Sequence, residues 1–223
     1  MPTGVRFLTA ARIPSVRPDR TIVCLAGVGG SASEWDAAAP LLARLGPVAM
    51  TPPAAGRMVL IGHSQGGIRA LRIAAREPAR VDALVLTSSF FPPARAGRPL
   101  AVATLDFARH RALYARAVVA RRRPPSPTRR GAAQLRTMLP LALRADRYHA
   151  LAGAVACPVL AVHGDADHLV PAAFARAACA RHPAWTYREL AGAGHHPHRD
   201  RAQEWAALVC EWLDPISATA DGR

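Results

Sequence analysis

Ser64 stands in Gly62-His63-Ser64-Gln65-Gly66, directly after the apolar run Met58-Val59-Leu60-Ile61 and directly before an amphipathic run that begins at Ile68. A serine hydroxyl is a weak nucleophile at its ordinary pKa. It becomes a strong one when a base lies within hydrogen-bond reach and an acid orients that base. The chain offers both kinds of partner further along. Asp165 and Asp167 share one turn, Gly164-Asp165-Ala166-Asp167, and His195, His196 and His198 share one loop after Ala191-Gly192-Ala193-Gly194. These residue types point to acyl transfer through a serine.

Such chemistry needs elements that hold the three groups together. The run ending at Ile61 reads as a buried strand, and Gln65 to Arg76 as a helix that stops before Pro78. Ser64 therefore falls on a sharp strand-to-helix turn. Gly62 and Gly66 flank it where larger side chains would collide, and the Gln65 amide at the helix start points to where an oxyanion would form. Residues 21–26, 81–87, 158–163 and 185–190 read as further buried strands, with helices over about 34–45, 172–181 and 200–213. The turn Gly27-Val28-Gly29-Gly30 follows the first of these strands, and Ser31 or Ser33 is placed to cap the helix after it.

Two other chemistries compete for these residues. Gly27-x-Gly29-Gly30 is a fragment of a dinucleotide-binding turn, but Ala32 occupies the last glycine position and no acid ends a following strand. His163-x-Asp165-x-Asp167-His168 approaches a dinuclear zinc pattern, yet an aspartate fills the second ligand position. Neither reading accounts for the serine turn.

The strand, Gly-x-Ser-x-Gly turn and helix resemble the nucleophile elbow of the α/β-hydrolase family, over about residues 21–91 and 155–213. The resemblance implies an α/β fold with a mostly parallel sheet, helices on both faces and a helical cap. It implies Ser64 as nucleophile, Asp167 as orienting acid and His195 as general base, in the family's chain order. The acid's place before Leu169-Val170-Pro171 favours Asp167 over Asp165, and the residue directly after Gly-Ala-Gly favours His195 over His196 and His198. The backbone amides of Val28 and Gln65 would form the oxyanion hole. Ala26 stands where the family's oxyanion turn commonly has a histidine, so a bracing hydrogen bond is lost. His63 is expected to pack or hydrogen-bond locally. The implied activity is hydrolysis of an ester or thioester of a small to medium acyl substrate, with no cofactor and no metal. C–C bond hydrolysis, lactonase and cofactor-free haloperoxidase activities use the same triad, and a non-catalytic binding protein could keep the same pocket.

Composition sets the frame. A chain of 223 residues forms one domain, with or without a large insertion. The core is expected at residues 1–91 and 151–223, and the helical cap at 92–150. That segment holds 13 arginines against Asp106 and Asp146, or +11 of the net +14, and the chain contains no lysine. The excess reads first as biased arginine usage, then as attraction for an anionic substrate. Nucleic-acid binding ranks last, because aromatic residues are few and no recognition motif is present. The four cysteines are far apart and read as reduced core residues. No run suits a membrane span and no secretory h-region precedes the first strand, so a cytoplasmic protein is expected.

One connection is too short for the family's usual sheet. A weak strand at 48–51 should lie beyond strand 21–26 from the elbow strand, yet only Pro52 to Arg57 link the two. A parallel crossover usually takes a dozen or more residues and a helix. The expectation is a sheet without that helix, with Ile22, Cys24, Val59 and Ile61 uncovered. An exposed apolar face of that kind favours homo-oligomers.

Overall fold

The computed structural model describes residues 20–92, 141 and 144–214. Six strands form one sheet: β1 Thr21–Leu25, β2 Val48–Ala49, β3 Met58–His63, β4 Val81–Thr87, β5 Val159–Gly164 and β6 Thr186–Leu190. Their spatial order is β2-β1-β3-β4-β5-β6, and every neighbouring pair is parallel. Parallel sheets are buried on both faces, which is why these strands read as continuous apolar runs rather than alternating ones.

Alternate residues feed two cores. On one face Val23, Leu25, Leu60, Leu84 and Leu86 meet Ile68, Leu71 and Ala74 of helix α2 (Gln65–Arg76). Helices α3 (Ala145–Gly153) and α4 (Ala172–Ala180) cover the same face with Tyr148, Ala152, Ala175 and Ala178. On the other face Ile22, Cys24, Val59, Ile61, Val85 and Val162 meet Trp35, Leu42 and the helix α5 (Ala202–Leu213), through Trp205, Val209 and Leu213. The free cysteines Cys24, Cys179 and Cys210 are buried, and Cys157 is half-buried.

The helix expected over 34–45 is broken. A 3₁₀ turn at Ala32–Trp35 gives way to a short helix α1 at Ala39–Leu42 and a second 3₁₀ turn at Ala43–Leu45. Pro40 lacks a backbone N–H and cannot sit in a helix interior, so the helix restarts with Pro40 in its first turn. Ser31 precedes the 3₁₀ turn without a side-chain cap; its hydroxyl bonds that of Ser33 instead.

The short crossover runs as expected in one respect and not in the other. β2 lies beyond β1, and residues 50–57 contain no helix. That link is held from the start of β4: Arg80 donates to the carbonyls of Pro53 and Gly56, and Arg57 donates to Asp82 and to the carbonyl of Ala79. The expected bare patch does not exist. Ile22, Cys24, Val59 and Ile61 are all 0–1% exposed, because the helices over that face come from residues 32–45 and 202–213, not from the crossover.

The expected cap lies mostly outside the described residues. Helix α3, which spans residue 150, packs Tyr148 and Ala152 into the core. No helix among the described residues is long and apolar enough to cross a membrane.

Candidate active site

Ser64 sits between β3 and α2 with φ 52° and ψ −120°, a conformation that L side chains rarely adopt. The surroundings hold it there. Its amide donates to the Thr87 carbonyl, and its own carbonyl accepts from the amides of Gly67 and Phe90 and from the Ser89 hydroxyl. The flanking glycines are required sterically. A Cβ on Gly62 would lie 2.5 Å from the Gly67 backbone, and one on Gly66 would lie 2.1 Å from the Leu25 carbonyl oxygen. The start of α2 is thus pressed against the end of β1. A Cβ on Gly27 would likewise lie 3.2 Å from Cβ of Ser64, so the Gly27–Gly30 turn borders the serine. Gly29, at φ 69°, lets that turn close. Gln65 is buried and Val28 is 38% exposed.

Asp167 and His195 meet across the ends of β5 and β6. His195 Nδ1 lies 2.8 Å from Asp167 Oδ2. The other carboxylate oxygen, Oδ1, accepts from the amides of Leu169 and Val170 at 2.8 and 2.9 Å. His163, fully buried on β5, also faces Oδ2 at 3.3 Å, and its Nε2 bonds the Val170 carbonyl. Burial acts to raise the pKa of Asp167, but His163 and His195 outweigh it and hold the carboxyl below the usual carboxylate range. Burial lowers His195 below the usual histidine value, partly offset by Asp167. Asp165 does something else: its Oδ1 accepts from the Gly192 amide at 2.6 Å and so ties the two loops together.

A second acid–histidine cluster lies beside the first. His63 Nδ1 is 2.5 Å from Glu34 Oε1, and His63 Nε2 is 2.9 Å from the His195 carbonyl oxygen. His198 Nε2 is 3.5 Å from Glu34 Oε1, yet neither ring nitrogen of His198 makes a hydrogen bond. The His198 ring packs instead on Trp35, with centroids 4.3 Å apart. Burial acts to raise Glu34, but His198 and His63 outweigh it and keep the carboxyl well below its usual range. Burial pushes His198 down to about 4 and His196 down to about 3.

Among the described residues, Glu34, His63 and His198 form a group whose ligand atoms all lie within 4.8 Å of one another. The residues of the zinc-like pattern form no such group there. Asp167 directs its oxygens at His195, His163 and backbone amides, His163 Nε2 faces Asp167 and the Val170 carbonyl, and Asp165 holds the Gly192 amide.

Sequence reasoning named His63 only as a local contact, weighed His163 only as a metal ligand, and passed over Glu34. The signal for Glu34 was an acid next to the buried Trp35, just past a glycine turn whose preceding residue, Ala26, carries no polar group.

A six-stranded parallel sheet with helices on both faces, and a serine at a strained strand–helix turn at its carboxyl edge, is the architecture of an α/β-hydrolase. The chain belongs to the Hydrolase_4 family, serine aminopeptidase S33, whose profile matches residues 26–202. No curated protein matches the sequence significantly. Among solved structures it is similar to the 2-hydroxy-6-oxo-6-phenylhexa-2,4-dienoate hydrolase of Rhodococcus sp. strain RHA1, with a TM-score of 0.63 and 19% identity over 87% of this chain and 90% of that one. It is also similar to the monoacylglycerol lipase of Paleococcus ferrophilus, with a TM-score of 0.55 and 18% identity over 86% of this chain and 93% of that one. A thioesterase domain from the curacin biosynthetic pathway gives a TM-score of 0.58 and 18% identity over 87% and 92%. At these identities the likeness is one of fold.

Proposed function

We propose that the protein is a serine hydrolase that cleaves an ester or thioester through an acyl-enzyme, with Ser64 as nucleophile, His195 as general base and acid, and Asp167 as the acid that orients it. The observations that carry this reading are the Asp167–His195 hydrogen bond, the bond that His63, Ser64's chain neighbour, donates to the His195 carbonyl oxygen, and the positive φ of Ser64 itself. An ionised Asp167 can only accept, so His195 donates from Nδ1 and keeps the Nε2 lone pair for the serine proton. Ser64 Oγ attacks the carbonyl carbon, and its proton passes to His195 Nε2. The imidazolium is stabilised by Asp167 and then protonates the leaving alcohol or thiol. Water attacks the acyl-enzyme by the reverse route. The amides of Val28 and Gln65 would receive the oxyanion, Gln65 with the N-terminal dipole of α2 behind it.

The structural neighbours carry names from three reaction types, a lipase, a thioesterase and a C–C bond hydrolase, so the test uses a substrate from each. The parent protein should be labelled covalently by a fluorophosphonate at Ser64 and should turn over acyl esters or acyl thioesters. Ser64→Ala should remove labelling and lower turnover by about five orders of magnitude. Turnover that survives Ser64→Ala would overturn the mechanism, and turnover confined to a vinylogous 1,5-diketone would move the activity to C–C cleavage.

A further inference from the structure

The Gly27 turn and the His195 loop must be held in register for the proposed reaction, because one supplies an oxyanion donor and the other the base. They come from opposite parts of the chain, after β1 and after β6. Ala26, at the start of the turn, has no side-chain group with which to fix it. A continuous path nevertheless joins them. The Gly27 amide donates to the Glu34 carboxylate, at 3.3 and 3.4 Å to its two oxygens. Glu34 Oε1 meets His63 Nδ1 at 2.5 Å, and His63 Nε2 meets the His195 carbonyl oxygen at 2.9 Å.

The polarity of this path is fixed at its ends. A carbonyl oxygen only accepts, so His63 Nε2 carries a proton and donates to His195. The Gly27 amide only donates, so Glu34 accepts there. Between them, Nδ1 and Oε1 at 2.5 Å must share another proton, since two bare acceptors at that distance would repel. A metal ion in the same place would need this pair to open. Ligand atoms around a zinc ion at about 2.0–2.1 Å from the metal stand roughly 3.3 Å apart in a tetrahedron, and this pair is closed to hydrogen-bond length.

We propose that Glu34 and His63 are positioning residues that lock the oxyanion turn to the catalytic-base loop through one hydrogen-bonded chain, from the Gly27 amide to the His195 carbonyl. The inference rests on the serine hydrolase reading above. Neither residue touches the reacting atoms. Each acts through backbone: Glu34 on the turn that precedes Val28, and His63 both on His195 and, as Ser64's chain neighbour, at the end of β3. Both are largely buried, with side chains 11% and 2% exposed, so water does not compete for the path.

The test compares Glu34→Ala with Glu34→Gln in the full chain. Glutamine keeps the shape and can still accept from Gly27 through its oxygen while donating through its amide to a neutral His63 Nδ1. Alanine removes the path. Glu34→Ala should lower kcat by about 10- to 100-fold, with KM near the parent value. A tetrahedral analogue such as a boronic acid should lose affinity by the same factor. Glu34→Gln should recover most of both. His63→Ala combined with Glu34→Ala should cost no more than either alone, because the path is broken once. A purely structural role would lower thermal stability and leave kcat per folded molecule, and analogue affinity, unchanged; that result overturns the proposal. So does a Glu34→Gln enzyme as impaired as Glu34→Ala. A zinc-dependent rise in thermal stability of the parent, lost in Glu34→Ala, would replace the shared proton by a metal. Fluorophosphonate labelling of the parent separates the two levels. An unlabelled parent means the serine hydrolase reading has failed. A labelled parent whose Glu34→Ala variant is labelled at the same rate means only the positioning role has failed.

Discussion

Two carboxylates, the buried Asp167 and the half-buried Glu34, connect to His195, one directly and one through His63, and each is flanked by two histidines. Asp167 faces His163 and His195; Glu34 faces His63 and His198. In both, burial works against ionisation and the histidines restore it. They differ in what they hold. Asp167 grips a ring that moves a proton in the proposed reaction, and its own oxygen is pinned by the two amides of the following loop. Glu34 grips an amide of one loop and, through His63, the backbone of another. In the proposed roles the same local chemistry serves once to set a tautomer and once to set a frame. An acid–histidine pair is assigned by what its far side touches, not by the pair itself.

The largest effect that separates them is expected at Asp167. Asp167→Asn keeps the size and the amide contacts but removes the charge that fixes His195 Nδ1 as donor. It should lower kcat by about 10⁴-fold, well beyond the loss at Glu34. Asp165→Asn should cost less than about tenfold in kcat, because Asp165 holds the Gly192 amide and not the base. Steady-state kinetics on the three single variants checks the order. A larger loss at Asp165 than at Asp167 would reverse the assignment of the acid.

An intermediate effect is expected on the pH dependence of stability. His198 and His196 are pushed down to about 4 and about 3 by burial, whereas unfolded histidines titrate near 6.5. Between those values the unfolded chain binds more protons than the folded one, so stability rises with pH. The contribution is complete above about pH 6.5 and is lost as pH falls through the folded values. Asp167 and Glu34, held below their usual range, add a loss in the same direction at lower pH. His198→Phe should flatten the decline between pH 6.5 and 4.5 in urea unfolding. It should cost little at pH 7.5, since neither ring nitrogen has a hydrogen-bond partner and the ring stacks on Trp35. An unchanged slope would mean His198 takes up its proton in the folded protein as readily as in the unfolded one. Activity attributed to His195 should keep its pH profile, because that ring is held from the Asp167 side.

These two clusters were unequally legible in the sequence. The elbow was readable because its constraint is steric and local: the collisions that forbid side chains at Gly62 and Gly66 follow from strand, turn and helix in consecutive residues. The Asp167 and His195 assignments drew on the resemblance, and the structure brings those two side chains together at 2.8 Å. Most strands, and helix α2, were readable from continuous apolar runs and from Pro78. The Glu34–His63 pair was not, because its partners are 29 residues apart and neither has a local pattern of its own. The cover over Ile22, Cys24, Val59 and Ile61 was misjudged for a related reason. The length of the crossover correctly excluded a helix there, but length does not say which face a missing helix would have covered. That is set by the sheet's handed connections and by Trp205, Val209 and Leu213, more than 140 residues later in the chain.

The smallest effect is expected at Gly30, and it isolates the contact between Glu34 and the Gly27–Gly30 turn. A Cβ at Gly30 would lie 2.2 Å from Glu34 Oε2 and 3.1 Å from Cβ of Ala26. The carboxylate is the end of a flexible side chain, so it swings aside while the backbone stays; Gly30, unlike Gly29, has no positive φ to defend. Gly30→Ala therefore keeps the charge and the identity of Glu34 but loosens its hold on the Gly27 amide. The expected result is a fall in kcat of about two- to tenfold, an unchanged KM, and less than about 1 kcal/mol of stability lost. Gly29→Ala is the matched control. Its new methyl meets nothing within 4 Å, but φ 69° strains it, so it should lose about 1 kcal/mol without any direct effect on Glu34. If Gly30→Ala and Gly29→Ala lower kcat alike, the turn responds to strain in general. If only Gly30→Ala does, the position of the Glu34 carboxylate is what the turn reads. No substitution on the Asp167 side offers the same separation, because its carboxylate is pinned by backbone amides that follow it in its own loop.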